Sequence, residues 1–232
     1  MWNKEVRKTV FTLNIDNTYS KELTDLTYPF IKGYAHKIGA NFHVINERKF
    51  PDFPIVYEKL QIYELAQEMN NDWNIYFDCD ALIHPDLMDV TLHVPFDAVS
   101  HMGFDIASFR WKYDRFFKRD GRFIGSCNWF SVASSWCIEL WKPIDDMTID
   151  EISENIFPIK SEIVAGIKPI RLIDDYVLSR NIAKYGLKFK SFHTILKELG
   201  QDGSELFYHR YAMPPEQKVV LIKQQMKKWG LL

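Results

Sequence analysis

Cysteine is scarce in this sequence. Three occur in 232 residues, Cys79, Cys127 and Cys137, and no two form a CxxC pair, so neither a disulfide framework nor a zinc knuckle is expected. An excess of basic residues is missing too. The formal net charge is -2 and the pI lies near 6.4, which removes the broad positive field of a nucleic-acid binder; nucleic acid is not an expected partner, and any anion must be held by a local site. Long apolar runs are also lacking. No window approaches the ~18 uninterrupted apolar residues of a membrane span, and the opening "MWNKEVRKTV" carries charges without an apolar core of signal-peptide length. The expectation is a soluble, cytoplasmic protein with reduced, structural thiols.

What is present is apolar and aromatic. At 47% hydrophobic and 15% aromatic residues, the chain can build one well-buried core. The run "KTVFTLNI" (Lys8 to Ile15) is β-branched and apolar, and an amphipathic segment from about Ser20 to Ile38 follows polar "DNTYS". Gly39 marks a helix stop, and "NFHVIN" (Asn41 to Asn46) reads as a second strand, giving a βαβ unit with parallel strands. After the proline-bearing "KFPDFP", a helix near Ile55 to Met69 leads to a third strand, Trp73 to Phe77. The expected organisation is one domain over residues 1–212, with a helical extension over 213–232 packed on it.

That third strand runs straight into two carboxylates, in "DWNIYFDCDALIHPD". In extended backbone, residues two apart share a side, so Asp78 and Asp80 can converge on one object while Cys79 points into packing. Two carboxylates so close repel, and a divalent cation removes the repulsion. Oxygen ligands with open positions favour Mg²⁺ or Mn²⁺, whose shell is completed by phosphates and water. The ends of strands in an open parallel sheet are also where ligands bind. An acidic turn after a strand is the plain alternative for the tripeptide alone.

With its polar residues after the first strand, a lysine-bearing helix before the third, and "IYFDCDALIHPDL", the chain resembles the GT-A glycosyltransferases, especially the group containing glycogenin and bacterial galactosyltransferases. The resemblance spans roughly residues 8 to 212. It implies an α/β fold, a single Rossmann-like GT-A domain with a mixed, mostly parallel central sheet flanked by helices. It further implies an enzyme that moves a sugar from a nucleotide diphosphate, a UDP-sugar first among donors, to a glycan or other hydroxyl acceptor. Asp78, Cys79 and Asp80 would meet the diphosphate and its Mn²⁺ (or Mg²⁺). Leu13, Asn14, Asp16 and Tyr19 would line the base and ribose pocket, and Lys59 would lie near the phosphates; a solvated helix lysine is the plain reading of Lys59, and Asp16 and Asn17 equally suit a turn.

The same resemblance extends downstream. In "GSCNWFSVASSWCIELW" a strand, Trp129 to Ala133, precedes a helix capped at Ser134 or Ser135, and Asn128 would meet the donor sugar. In "IRLIDDYVLSRNIAKYG" two acids open an amphipathic helix, where the helix dipole alone favours them; by the resemblance Asp175, or Asp174, would orient or deprotonate the acceptor. Asp174, Asp175, Arg180 and Asn181 match neither the inverting nor the retaining pattern of the family. His209, in "GSELFYHRYAMPPEQ", would complete the metal shell, with His193 as competitor.

Two segments stand apart. "SFRWKYDRFFKRDGRF" (Ser108 to Phe123) interleaves cations with aromatics and reads as a lid or as a loop clamped by cation-π contacts. The tail "PPEQKVVLIKQQMKKWGLL" starts a helix on prolines, with Lys218, Lys223, Lys227 and Lys228 around Val220, Leu221, Met226 and Trp229. Packing on the domain is the first expectation for it, and attachment to an anionic membrane surface the alternative. Two rival functions share the acid pair: a haloacid-dehalogenase-like Mg²⁺-dependent phosphatase and a non-catalytic nucleotide-sugar or glycan-binding module. Against the phosphatase, Ala81 and Leu82 follow the pair where that family places glycine and threonine or valine.

Overall fold

From Lys8 to Phe77 strands and helices alternate, as the sequence pattern requires. A computed structural model describes residues 5–15, 20–102, 129–158, 160–210 and 213–232. The strands are β1 (Lys8–Leu13), β2 (Asn41–Ile45), β3 (Trp73–Phe77), β4 (Leu82–Ile83), β5 (Ala98–His101), β6 (Phe130–Ser134), β7 (Lys188–Phe189) and β8 (Phe207–Tyr208). The α-helices are α1 (Lys21–Lys37), α2 (Ile62–Glu68), α3 (Ile149–Glu154), α4 (Lys160–Val164), α5 (Ile173–Lys184), α6 (Phe192–Glu198), α7 (Gly203–Leu206) and α8 (Pro215–Lys228). Among the described residues a six-stranded sheet has the order β2-β1-β3-β6-β5-β7, and β4 pairs with β8 in a small second sheet. β1 is parallel to both β2 and β3, as the βαβ reading expects, whereas β6 runs antiparallel to β3 and β5. The sheet is mixed and flanked by helices.

Side-chain alternation along the strands builds two cores, one on each face. Phe11, Tyr76 and Ala133 point to the layer shared with Leu60, Trp141 and Val177. Val10, Ile75, Phe77 and Val132 point to the layer shared with Ile31, Phe192 and Phe207. β3 is buried at all five positions, since both faces are covered.

Local chemistry sets the helix limits. Ser20 caps α1, its hydroxyl accepting from Leu23 N. The stretch before α2 is a 3₁₀ helix, Ile55–Gln61, so the expected helix from Ile55 to Met69 is two elements joined end to end. A second 3₁₀ helix, Ser135–Trp141, follows β6; the Ser134 hydroxyl accepts from Trp136 N at 3.1 Å. Gly186, with φ of +62°, stops α5 as expected.

α8 packs against α1 through Val219, Ile222 and Met226, which join Leu23 and Leu82 in a third apolar cluster. The buried stripe is therefore 219/222/226, one register away from the Val220–Leu221 face that the sequence alone points to; Val220 is exposed. With that stripe covered by α1, the apolar face is committed to packing. Among the described residues no helix is long and apolar enough to cross a membrane. Cys79 and Cys137 are free and buried.

Candidate metal and donor site

The chain leaves β3 at Phe77 and turns at once. Ala81 N donates to Asp78 O at 3.0 Å, and Asp78 N donates to Trp129 O at 2.7 Å. Asp78 and Asp80 do converge, but a tight turn brings them together where the sequence pattern points to extended backbone. Cys79, at the turn's centre, is fully buried; its carbonyl accepts from Thr27 Oγ1 of α1 at 2.5 Å. Burial, with Asp80 and Asp78 nearby, pushes its thiol well above the ordinary range, so it stays a neutral packing group.

The small second sheet supplies the third member. Leu82 pairs with Tyr208 and Ile83 with Phe207, which carries the next residue, His209, back beside the turn. Its Nε2 lies 3.6 Å from Asp78 Oδ2 and 3.3 Å from Asp80 Oδ1. Trp129 stacks on the imidazole at 5.0 Å, with an interplanar angle of 22°. His193 sits exposed on α6.

Each carboxylate has one oxygen held and one presented. Asp78 Oδ1 accepts from the Tyr76 hydroxyl at 2.7 Å and faces Lys59 Nζ at 3.6 Å. Asp80 Oδ2 is paired with the Lys218 ammonium, from the first turn of α8. Asp80 Oδ1 is buried and has no aligned hydrogen-bond donor, a costly arrangement unless something else binds there. Asp78 Oδ2, Asp80 Oδ1 and His209 Nε2 thus face one another, all within 4.8 Å. Bonds of ~2.1 Å at right angles put neighbouring ligands of an octahedral cation ~3 Å apart, close to the 3.6 and 3.3 Å that separate His209 Nε2 from the two carboxylate oxygens. Burial opposes the charge on Asp80, but His209 and Lys218 outweigh it and hold its carboxyl down at about 2.

Beyond the trio lies a second acid group at the start of α5. Lys59 is buried, its ammonium 2.6 Å from Asp174 Oδ2. Burial works to discharge Lys59, but Asp174 and Asp78, with Asp175 beyond them, keep it firmly protonated. It is not a solvated helix lysine but the bridge between the two acid groups. Asp175 is also buried. Among the described residues, four carboxylates, Asp78, Asp80, Asp174 and Asp175, then face two ammonium groups, Lys59 and Lys218. The excess of two negative charges matches one divalent cation.

The α5 residues that fit neither family pattern have other work. Arg180 Nη2 donates to Asp146 at 2.6 Å, and Asn181 Nδ2 donates to Leu140 O at 3.1 Å and Lys142 O at 2.7 Å. Both pin α5 to the segment behind it, away from the acid pair.

At the end of β1, Leu13 is buried, and the buried Asn14 Oδ1 lies beside the buried Tyr28 hydroxyl of α1. Asp16, Tyr19, Asn128 and the segment 108–123 lie outside the described residues.

Sequence reasoning missed Lys218, Tyr76, Trp129 and Tyr28. For Lys218 a signal exists: it sits four and eight residues before Ile222 and Met226, so it shares their buried stripe, unlike Lys223, Lys227 and Lys228. A lysine on the core face of an amphipathic helix calls for a buried anion.

No family model and no curated protein sequence matches this chain. Solved structures do. A glycosyltransferase involved in the glycosylation of the major capsid of PBCV-1 superposes with a TM-score of 0.55 at 12% identity, covering 94% of this chain and 98% of that one. The chain has the GT-A fold. Two further structures show weaker similarity. The Drosophila β1,4-galactosyltransferase 7 mutant complexed with manganese, UDP-Gal and xylobiose gives 0.49 at 12% identity, over 89% of this chain and 71% of that one. The galactosyltransferase LgtC with donor and acceptor sugar analogs gives 0.47 at 14% identity, over 97% and 100%. In this GT-A fold the acid pair stands where β3 leaves the central sheet, with His209 brought to it by the β4–β8 pairing.

Proposed function

We propose that the protein is a metal-dependent glycosyltransferase that moves a sugar from a nucleoside diphosphate donor to an acceptor hydroxyl. The observation that carries this reading is the convergence of Asp78 Oδ2, Asp80 Oδ1 and His209 Nε2 at the carboxyl end of β3, with one oxygen of each aspartate already held by another residue. Two carboxylates and one imidazole suit Mn²⁺ better than Mg²⁺, which prefers an all-oxygen shell. Bound there, the cation supplies Lewis-acid stabilisation of the departing diphosphate.

The protein's own groups do the rest. Tyr76 and Lys218 fix the orientation of the two aspartates, and Lys59 adds a positive charge between the metal ligands and α5 where negative charge builds up on the leaving group. Asn14 and Tyr28, paired beside the end of β1, are the groups proposed to meet the base or ribose, a UDP-sugar being the donor proposed. Asp175, buried in the first turn of α5, is the group proposed to orient or deprotonate the acceptor hydroxyl.

Incubating the protein with Mn²⁺ and a panel of nucleotide sugars tests this. Release of UDP, or transfer to an added sugar acceptor, is the expected outcome. Turnover of an aryl phosphate instead would establish the phosphatase, and binding without turnover the non-catalytic module.

A further inference from the structure

The metal trio is not the only place where this chain is built to meet a ligand, and we propose a second site: a cleft around Trp136 that binds a neutral glycan. The inference deepens the transferase reading and rests on it for the choice of a glycan. The cleft lies far from the reaction centre. β6 pairs Phe130 with Phe77 and Ser134 with Trp73, so the 3₁₀ helix that begins at Ser135 leaves the sheet where β3 starts, whereas Asp78 follows where β3 ends. Five strand residues at ~3.3 Å each separate the two levels by on the order of 15 Å.

Trp136 is 71% exposed, whereas Trp73, Trp129 and Trp141 are all buried. Its exposure is not the result of a loose backbone. Trp136 N donates to Ser134 Oγ at 3.1 Å, and its neighbours Cys137 and Trp141 are anchored in the core. The chain therefore holds an indole in water on a fixed support, against the ordinary preference for burying so large an apolar surface. The indole borders an open cavity of about 460 Å³, shared with Tyr185, Asp97, Glu139 and Lys188, and this size is typical of small-ligand sites. Tyr185 is itself flanked by the ammonium groups of Lys142 and Lys184, 5.5 and 5.6 Å from its ring centre.

The lining selects the ligand class. An anion would meet two carboxylates; among the described residues the one lining ammonium, Lys188, is already paired with Asp97, and Lys142 and Lys184 beside Tyr185 are paired with Asp145 and Asp146. A lipid chain or apolar peptide would have to desolvate those charges for little apolar contact. A sugar ring fits both halves of the lining. Its C–H face can lie on the electron-rich face of the indole, while its hydroxyls donate to Asp97 and Glu139 and accept from Lys188. At its distance from the metal trio, the cleft would grip a remote part of a glycan acceptor and leave the reacting end free.

The test omits metal and donor, so that its failure is distinct from failure of the transferase reading, which a separate UDP–Mn²⁺ titration of the same protein reports. Protein labelled with ¹⁵N is titrated in EDTA with cello-, malto-, xylo- and chitohexaose, following the indole N–H resonance that disappears in Trp136→Ala. The expected result is a saturable shift of that resonance with at least one hexasaccharide. Affinity should fall at least ten-fold in Trp136→Ala and be largely kept in Trp136→Phe, with Mn²⁺-dependent UDP binding unchanged in both. The proposal is overturned if no hexasaccharide moves the Trp136 resonance, or if binding persists undiminished in Trp136→Ala.

Discussion

Lys59 Nζ lies 2.6 Å from Asp174 Oδ2, a buried ion pair joining residues 115 positions apart. It ties the start of α5 to the 3₁₀ helix before α2, and through Asp78, 3.6 Å from the same ammonium, to the metal trio. One lysine thus sets the spacing between the two acid groups of the proposed reaction centre.

Replacing that lysine should be costly. Lys59→Met leaves Asp174 and Asp78 facing each other without the intervening charge, and loss of one partner of a buried pair typically costs ~3–5 kcal/mol. Chemical denaturation should show a stability loss of that order; a loss under about 1 kcal/mol would mean that the pair is solvated and does not organise the site.

The two acids of α5 should then part company. Asp175→Asn is expected to leave the melting temperature and donor affinity nearly unchanged while transfer falls by roughly 10²-fold, as for the loss of a general base or charge stabiliser. Asp174→Asn should instead lower the melting temperature, since it abandons Lys59. Equal and small effects of both substitutions on turnover, measured with the true donor, would remove the pair from the mechanism.

Lys218 yields a prediction with a definite sign. In Lys218→Met the buried Asp80 carboxylate loses its cation, so the metal-free protein should be markedly less stable. Saturating Mn²⁺ supplies the missing charge and should recover most of that loss, as any ligand of the native state does. Equal destabilisation with and without Mn²⁺, read by thermal denaturation, would show that Lys218 anchors α8 and nothing more.

At the far end of α5, the hydrogen bond from Arg180, reinforced by Lys184, holds the Asp146 carboxyl down at about 2 despite some burial. A carboxylate depressed in the folded state contributes stability above its unfolded value of about 4, and that contribution fades as the pH falls toward 2. Asp146 is partly exposed, so the contribution should stay below about 1 kcal/mol. Accordingly, Asp146→Asn should melt slightly below the wild type at pH 6, and the gap should narrow steadily as the pH falls below about 4 toward 2. A gap that widens on acidification would contradict the assignment.

Much of this was legible in the sequence because it is local. The β-branched run of β1, the glycine stops and the buried β3 each follow from short-range pattern, and they place Asp78 and Asp80 at a strand end. His209 needed more, since only the β4–β8 pairing brings it to the turn, and two-residue strands leave almost no periodic signal. The partners of the acids were hidden for the same reason. Nothing near Lys59 in sequence announces Asp174, and Tyr76 reads simply as a core aromatic. Lys218 was within reach, but a helix with four lysines invites the reading of a solvated face until its apolar stripe is placed in the right register.

Metal binding itself separates the two histidines. His209→Ala should weaken Mn²⁺ binding at least ten-fold, whereas His193→Ala, exposed on α6, should leave it unchanged. A Mn²⁺ titration giving the reverse order would move the third ligand away from the β4–β8 sheet.

The central claim, that Asp78, Asp80 and His209 hold a divalent cation that in turn holds a nucleoside diphosphate, is tested most directly by calorimetric titration of UDP into the protein in Mn²⁺ and in EDTA. Binding in Mn²⁺ should be on the order of 10²-fold tighter than in EDTA, and that difference should be lost in Asp80→Asn, whose fold should persist. Equal UDP affinity in Mn²⁺ and EDTA, or a metal effect that survives Asp80→Asn, would contradict it.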